Sequence, residues 1–461
     1  MSVTFQPVPE PGCSLFVPGP SITRAPNGNH LYRFDVWLNR PAGRAELLQS
    51  VTWTSSLPIR LRSGEGTPAL TSVLLPAMAL GLPVIIEAPV SPRFMRNIDS
   101  FQSIFASWFP TYRKIDITAP LTADPPAIGI TGTAAFFSGG VDGFYTLRHH
   151  LNEVSTLVMM HGFDLDLDRI HHRTVVDDYM GRIASELRRD LAVLQTTIRT
   201  FSDRYAWWGE MCGSTLGAAA QLLEGVAGRM LVASGSTYAD FVPFGTTVLT
   251  DPLLSTEGMN IVVDGGAVPR IDKVFELARW DYARERLRVC WRMQNATLNC
   301  CRCNKCLRTM TSLWLAGALD RAPTFGTSLS PEQITGEPLK PIHASYVYEN
   351  LQRARELGVD GHPIMQAWQR MLMQEAIADI PADQAALARE LDGDPLVSMW
   401  LADHAGELIS ETGRRNPGAL LAALRRHAPE ILDEFIHRYR WKAPAALAGQ
   451  TARRLLGNVH K

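Results

Sequence analysis

The rhythm of polar and apolar positions changes along this chain. In LYRFDVWL, Tyr32, Phe34, Val36 and Leu38 alternate with Arg33, Asp35 and Trp37, the period of a half-buried strand. PALTSVLLPAMALGLPVIIEAP, residues 68 to 89, approaches the length of a membrane span. Pro76, Gly81 and Pro83 interrupt it and Glu87 lies within it, so it reads as a short buried helix, a turn and a strand from Val84 to Glu87. From Ile128 apolar runs and amphipathic stretches take turns: a run to Phe137, the helix-like FYTLRHHL, the strand-like STLVMMHG and a long amphipathic stretch from Ile170 to Asp190. AVLQTTIRT, YAWWGEMCGSTLGAAAQLLEGV and RMLVASG continue the pattern. Such alternation predicts a parallel sheet with crossover helices. Beyond Cys306 the spacing is helical in ENLQRAREL, PIMQAWQRMLMQEAI, ADQAALARELDG and PGALLAALRRHAPEILDEFIHRYRW.

The prolines of the DPPA run, residues 124 to 127, suit neither a helix nor a central strand. They divide an N-terminal α/β lobe, residues 1–127, from an α/β core at 128–318, with a helical region at 319–461. A chain of 461 residues matches this division into roughly three domains. Lys and Arg number 45 against 46 Asp and Glu, so no global field draws the protein to nucleic acid or an anionic membrane. Neither partner is expected. The start, MSVTFQPVPEPGCSLFVPGPS, is proline-rich and lacks a basic segment followed by an apolar core, which points to the cytoplasm.

In parallel sheets ligands sit beyond the carboxyl ends of the strands, here Ser138 to Gly143, His161 to Asp164, Arg199 to Asp203 and Ser234 to Asp240. Ser138-Gly139-Gly140-Val141-Asp142-Gly143 stands where an apolar run passes into an amphipathic one. Glycines there let backbone N–H groups at a helix start approach a phosphate. Asp142 would repel that phosphate unless Mg²⁺ lay between them. A plain strand-to-helix turn uses the same residues. The chain contains no GxxxxGK[ST], and no GxGxxG follows a strand, so neither a P-loop NTPase nor a dinucleotide fold is indicated.

Five of the seven cysteines crowd between Cys290 and Cys306. Cys290, Cys300, Cys303 and Cys306 have the spacing C-x9-C-x2-C-x2-C, with Cys301 left over. Four thiolates close a tetrahedron around Zn²⁺ and leave no position open for substrate, so the role is structural; an iron–sulfur cluster uses the same ligands.

SGGVDG resembles the SGGxDS signature of the PP-loop ATP pyrophosphatases, whose adenine-nucleotide α-hydrolase-like fold splits ATP into AMP and pyrophosphate. Gly143 replaces the last serine of that signature and removes a hydroxyl. Followed by a four-cysteine motif, the pattern is similar to one branch, the QueC-like 7-cyano-7-deazaguanine synthases. The resemblance covers about residues 130 to 310. It implies adenylation of the carboxylate of 7-carboxy-7-deazaguanine with ATP and Mg²⁺, then transfer to an amine.

Under that resemblance Ser138, Gly139, Gly140, Val141, Asp142 and Gly143 bind nucleotide, and Asp142, His161, Arg199, Asp240 and Lys273 are the catalytic candidates. His161 ends the second strand and is suited to nucleotide binding or a proton relay; Arg199 ends the third and is suited to phosphate or carboxylate. Asp240 follows VASGSTYAD in the manner of a PP-loop acidic loop, and Lys273 stands where a superfamily lysine precedes a helix. Satisfied or solvated side chains are the plain alternatives. Trp207 and Trp208 suit stacking on a base or a helix contact, whereas His149-His150 and His171-His172 point to different helix faces and suit no joint metal site.

The flanking regions leave room for an acceptor larger than ammonia. Extended QueC-like enzymes of bacterial antiphage operons imply amide formation on the N-terminus of a partner protein. Nitrile synthesis with ammonia and an ATP-binding scaffold without turnover are the alternatives; tRNA modification is disfavoured by the balanced charge.

Overall fold

The computed structural model describes residues 11–125, 132–239, 243–293, 297–326, 329–339 and 343–377. Two short strands, β1 (Ser14–Val17) and β2 (Ser21–Arg24), precede the long β3 (His30–Asn39) and β4 (Ala45–Ser55). β3 buries Tyr32, Phe34, Val36 and Leu38 and exposes Arg33, as the alternation predicts. The apolar segment that follows forms α1 (Thr67–Leu80), which carries Pro68 in its first turn, where a missing N–H costs nothing, and ends at Gly81 with a left-handed φ of 66°. Apolar on all sides, α1 must be enclosed by other elements. β5 (Val84–Ile86), α2 (Pro92–Trp108) and β6 (Ile117–Thr118) complete this part; Ser91 caps α2 by accepting from the Phe94 N–H at 3.0 Å.

The alternating part contains β7 (Thr133–Phe136), α3 (Val141–His149), β8 (Val154–His161), α4 (Ile170–Leu187), β9 (Asp190–Thr196), α5 (Arg199–Ser202), α6 (Trp208–Leu222), β10 (Arg229–Ala233), β11 (Asn260–Asp264), α7 (Arg270–Ala278) and α8 (Asp281–Arg284). β8 is buried along nearly its whole length, as expected of a parallel strand covered on both faces. α1 packs against α6, where the Thr71 hydroxyl donates to Gln221 Oε1 at 2.9 Å.

The eleven strands among the described residues join one sheet in the order β11-β10-β7-β8-β9-β4-β3-β1-β5-β6, with β2 beside β3. β11 to β9 are parallel. Numbered by their own appearance they run 5-4-1-2-3, so winding reverses at β7, between β10 and β8. The crevice at that reversal, beyond the carboxyl ends, is where doubly wound sheets hold ligands. Antiparallel pairing of Trp53, Thr54 and Ser55 with Thr196, Gln195 and Leu194 carries the sheet from β9 into β4.

Arg199 does not end the third strand as expected. β9 stops at Thr196, whose hydroxyl accepts from the Ile198 N–H at 3.1 Å and bends the chain, so that Arg199 opens α5. The boundary expected at residues 124 to 127 runs into 126–131, outside the described residues.

The described residues of Met1–Cys301 and Ala318–Gly326 form one compact unit, and those of Arg302–Gly317 and Thr327–Lys461 another. The second is helical: α9 (Asn304–Leu315), α10 (Pro331–Thr335), α11 (Ala344–Glu356) and α12 (Pro363–Ile377). Ser312 on α9 donates to Asn350 Oδ1 on α11 at 2.7 Å, and Trp368 Nε1 on α12 donates to Thr311 Oγ1 at 2.8 Å. The two helices expected in ADQAALARELDG and PGALLAALRRHAPEILDEFIHRYRW lie outside the described residues. No helix among the described residues is long and apolar enough to cross a membrane.

Candidate functional site

The glycine turn occupies the carboxyl end of β7, at the point where the sheet reverses. Gly139 has φ of 76°, a left-handed conformation that favours glycine. A Cβ there would lie 3.2 Å from Met180 Cε and 3.3 Å from Tyr179 Cε1 and Arg288 Cβ. α4 and the segment after α8 therefore close on the turn because position 139 carries no side chain. Gly140 caps α3. The first intrahelical bond runs from the Phe144 N–H to the Gly140 carbonyl at 2.9 Å, and the N–H groups ahead of it have no preceding helical turn to bond to. Arg288 straps the turn from below: its N–H donates to the Gly139 carbonyl at 2.7 Å and its guanidinium to the Ser138 carbonyl at 3.1 Å.

Asp142, in the first turn of α3, meets two cations from α7. Arg270 bonds Asp142 Oδ2, and Lys273 Nζ lies 3.6 Å from Oδ1. Spacing of three residues puts Arg270 and Lys273 on one helix face. Lys273 is 1 % exposed; it also donates to the Ser234 carbonyl, just beyond β10, at 2.7 Å, and sits over the Tyr145 ring at 5.4 Å. Burial, followed by the charges of Glu276 and Asp264, raises the Tyr145 pKa, so the phenol stays protonated beside the ammonium. Thus the structure brings Ser138 to Gly143, Lys273 and Ser234 together. Arg270 and Lys273 on α7 and Arg288 after α8 bring three cations to the residues of the turn, side chains of the kind that bind polyanions. Arg270 and Arg288 were missed in the sequence. The i,i+3 spacing of Arg270 ahead of Lys273 was a readable sign, whereas Arg288 reaches the turn by a long-range contact with no local signature.

Gly143 faces the ring of Phe137. A Cβ there would lie 3.3 Å from Phe137 Cδ2, and that ring stands edge-on to Phe144 with centroids 4.9 Å apart.

The other candidates are more dispersed. His161, fully buried at the end of β8, bonds Asp177 Oδ1 on α4 through Nε2 at 2.6 Å. Arg199 is held by Asp203 at 2.8 Å, by the Phe163 carbonyl at 2.7 Å and by the face of Trp208 at 4.8 Å; these partners make it a brace between the loops after β8 and β9. Asp240 lies outside the described residues. Trp208 packs on Phe163, while Trp207 is half exposed. His149 pairs with Glu276, and His150 with Asp264 and Glu153.

Cys290, Cys300, Cys303 and Cys306 converge, with all four sulfurs within 4.8 Å of one another. Zinc–sulfur bonds of ~2.3 Å in a tetrahedron require sulfurs roughly 3.8 Å apart, so the donor set fits a zinc-sized ion. Asn299 shapes the approach: its Oδ1 accepts from the N–H of Val289 at 2.8 Å and of Cys290 at 3.2 Å. The left-handed φ of 56° at Cys301 reverses the chain between Cys300 and Cys303. Cys306 lies in the first turn of α9, and Cys301 is buried outside the cluster.

The fold and site define a mixed α/β protein with a mixed sheet whose parallel part reverses its winding, a glycine turn contacted by basic side chains and a four-cysteine cluster able to chelate a metal. Comparison with protein-family models, with curated proteins and with solved structures gives no match.

Proposed function

We propose that this protein is an ATP-dependent ligase of the PP-loop, QueC-like kind, which adenylates the carboxylate of 7-carboxy-7-deazaguanine and passes the acyl group to an amine. The acceptor in this reading is the N-terminus of a partner protein, in antiphage defence. The observation that carries the adenylation reading is the placement of the glycine turn at the sheet's reversal point, with Arg270 and Lys273 on Asp142 and Arg288 on the Ser138 carbonyl.

The chemistry asks for such a site. A substrate carboxylate oxygen attacks the α-phosphorus of ATP and the bond to pyrophosphate breaks, so negative charge gathers on the leaving group. In this reading the backbone N–H groups of Val141, Asp142 and Gly143 hold that charge without reorganising, beside the Arg270 and Lys273 contacts to Asp142. Mg²⁺, when bound with ATP, would supply further charge neutralisation. In the second step the amine nitrogen forms the amide bond, the acyl–phosphate bond breaks to release AMP, and the amine's proton leaves. The four cysteines have no open coordination position for this chemistry and anchor the segment after α8.

The test is chromatography of nucleotides after incubation with ATP, Mg²⁺ and 7-carboxy-7-deazaguanine, with and without ammonia. AMP that depends on the deazaguanine acid supports adenylation, and an ammonia-dependent nitrile makes the protein a small-molecule synthase. Bound ATP with no AMP under any condition overturns the ligase reading in favour of a scaffold.

A further inference from the structure

A second polar cluster lies on the same sheet edge as the glycine turn. His161 and Gln195 are cross-strand neighbours at the carboxyl ends of β8 and β9. α4 sends one residue to each: Asp177 to His161 Nε2 at 2.6 Å, and Arg173, one turn earlier, to Gln195 Oε1 through its terminal nitrogen at 3.0 Å. The same stretch of α4 continues into Tyr179 and Met180, the residues that close on Gly139. α4 therefore borders both the cluster and the turn.

Two buried polar atoms of this cluster have no hydrogen-bond partner, His161 Nδ1 and Arg173 Nε. A buried polar atom left unpaired is costly, and in a native structure it asks for a reason. The chemistry of each is set by its neighbour. A carboxylate only accepts, so Asp177 makes His161 Nε2 the N–H, and the neutral imidazole then has its lone pair on Nδ1. Arg173 Nε always carries a hydrogen. The pair thus offers one acceptor and one donor, with His161 fully buried behind the half-buried Arg173, Asp177 and Gln195.

We propose that this cluster is the base-recognition subsite, selecting a ring lactam whose N–H donates to His161 Nδ1 and whose carbonyl accepts from Arg173 Nε. The inference rests on the adenylation reading for the identity of the acid, and it assigns Arg173, Asp177 and Gln195 to substrate selection. Asp177 is a positioning residue, because it acts by fixing which nitrogen of His161 bears the hydrogen.

The experiment compares two acids with the full-length chain: 7-carboxy-7-deazaguanine, and its analogue with an amino group replacing the ring carbonyl, in which donor and acceptor are exchanged. At saturating ATP the wild-type protein is expected to show a KM for the lactam acid lower by roughly tenfold or more, the effect of stranding buried polar groups. Arg173→Met raises the KM of the lactam acid with little change in kcat. Asp177→Asn, which no longer compels Nε2 to carry the hydrogen, relaxes the preference between the two acids, a change that loss of stability alone does not produce. Equal KM values in the wild-type protein, or an unchanged preference in both variants, overturns the subsite. If neither acid yields AMP, the adenylation reading fails separately. Calorimetric titration of the two acids then decides the subsite: tighter binding of the lactam acid supports it, and equal or absent binding overturns it.

Discussion

Lys273→Met separates a nucleotide-binding ammonium from a purely structural one. Lys273 Nζ lies 3.6 Å from Asp142 Oδ1, a gross attraction of about 5 kcal/mol at the effective dielectric constant of roughly 20 that suits protein sites. Most of that is offset by the cost of taking the ammonium out of water. Methionine keeps most of the buried stem, and Asp142 retains Arg270. The folded state then loses chiefly the donor to the Ser234 carbonyl, about 1–2 kcal/mol. A bound polyphosphate loses a charge-assisted contact, about 1.5–3 kcal/mol, which is roughly a 10- to 150-fold rise in Kd. Isothermal titration with ATP and Mg²⁺ measures the second effect, and urea denaturation the first. A folded variant that binds ATP within about threefold of wild type refutes the reasoning. So does a stability loss above about 4 kcal/mol, which would mark Lys273 as a structural pillar.

Metal analysis should find one zinc-sized ion per chain; Cys303→Ser loses it and destabilises the protein by about 4 kcal/mol or more, whereas Cys301→Ser retains it. Gly143→Ser gains about 0.5 kcal/mol of helix propensity against a tight contact with Phe137, so stability stays within about 1 kcal/mol. AMP release should rise if the added hydroxyl strengthens the phosphate cradle, and a fall would show that the Phe137 contact governs the turn. Burial pushes the Asp251 pKa up to about 7, opposed by hydrogen bonds from Thr246, Thr247 and Thr250. The folded protein then holds a proton that the unfolded chain releases near pH 4, so stability falls as pH rises from about 4 to about 7. Asp251→Asn should flatten that slope in denaturant titrations at pH 5 and pH 8.

What was legible in the sequence was local. Alternation in β3, the broken apolar run of α1 and β5, and the strand–helix rhythm from β7 to β10 all follow from side-chain period, because each element buries the face that its own sequence makes apolar. The cysteine cluster was legible for a similar reason, since short x2 steps allow few geometries. Long-range pairing was not. Nothing in WTS at the end of β4 announces that it joins β9, and β11 escaped notice in a stretch dense with turns. Within the site, Asp142 and Lys273 were found, but the salt bridge from Arg270 and the strap from Arg288 depend on segments more than a hundred residues from the turn. Asp177 escaped too, because its tie to His161 spans a helix-to-strand contact that no spacing rule encodes.

The union of β4 with β9 and of α1 with α6 has a bearing on modular exchange. Leu70, Val73, Leu74 and Met78 are fully enclosed, and each stabilises the fold by about 1.5–3 kcal/mol through burial. Glu224, after α6, accepts from the Ser63 N–H at 2.8 Å and its hydroxyl at 2.7 Å. A recombinant chain that breaks between residues 118 and 133 inherits a foreign partner for a strand border, a helix face and this carboxylate at once. Crossover points compatible with folding therefore lie beyond Arg288, whose bonds to Ser138 and Gly139 still tie it to the glycine turn, and everything from Ser14 to that point passes between homologous chains as a single block.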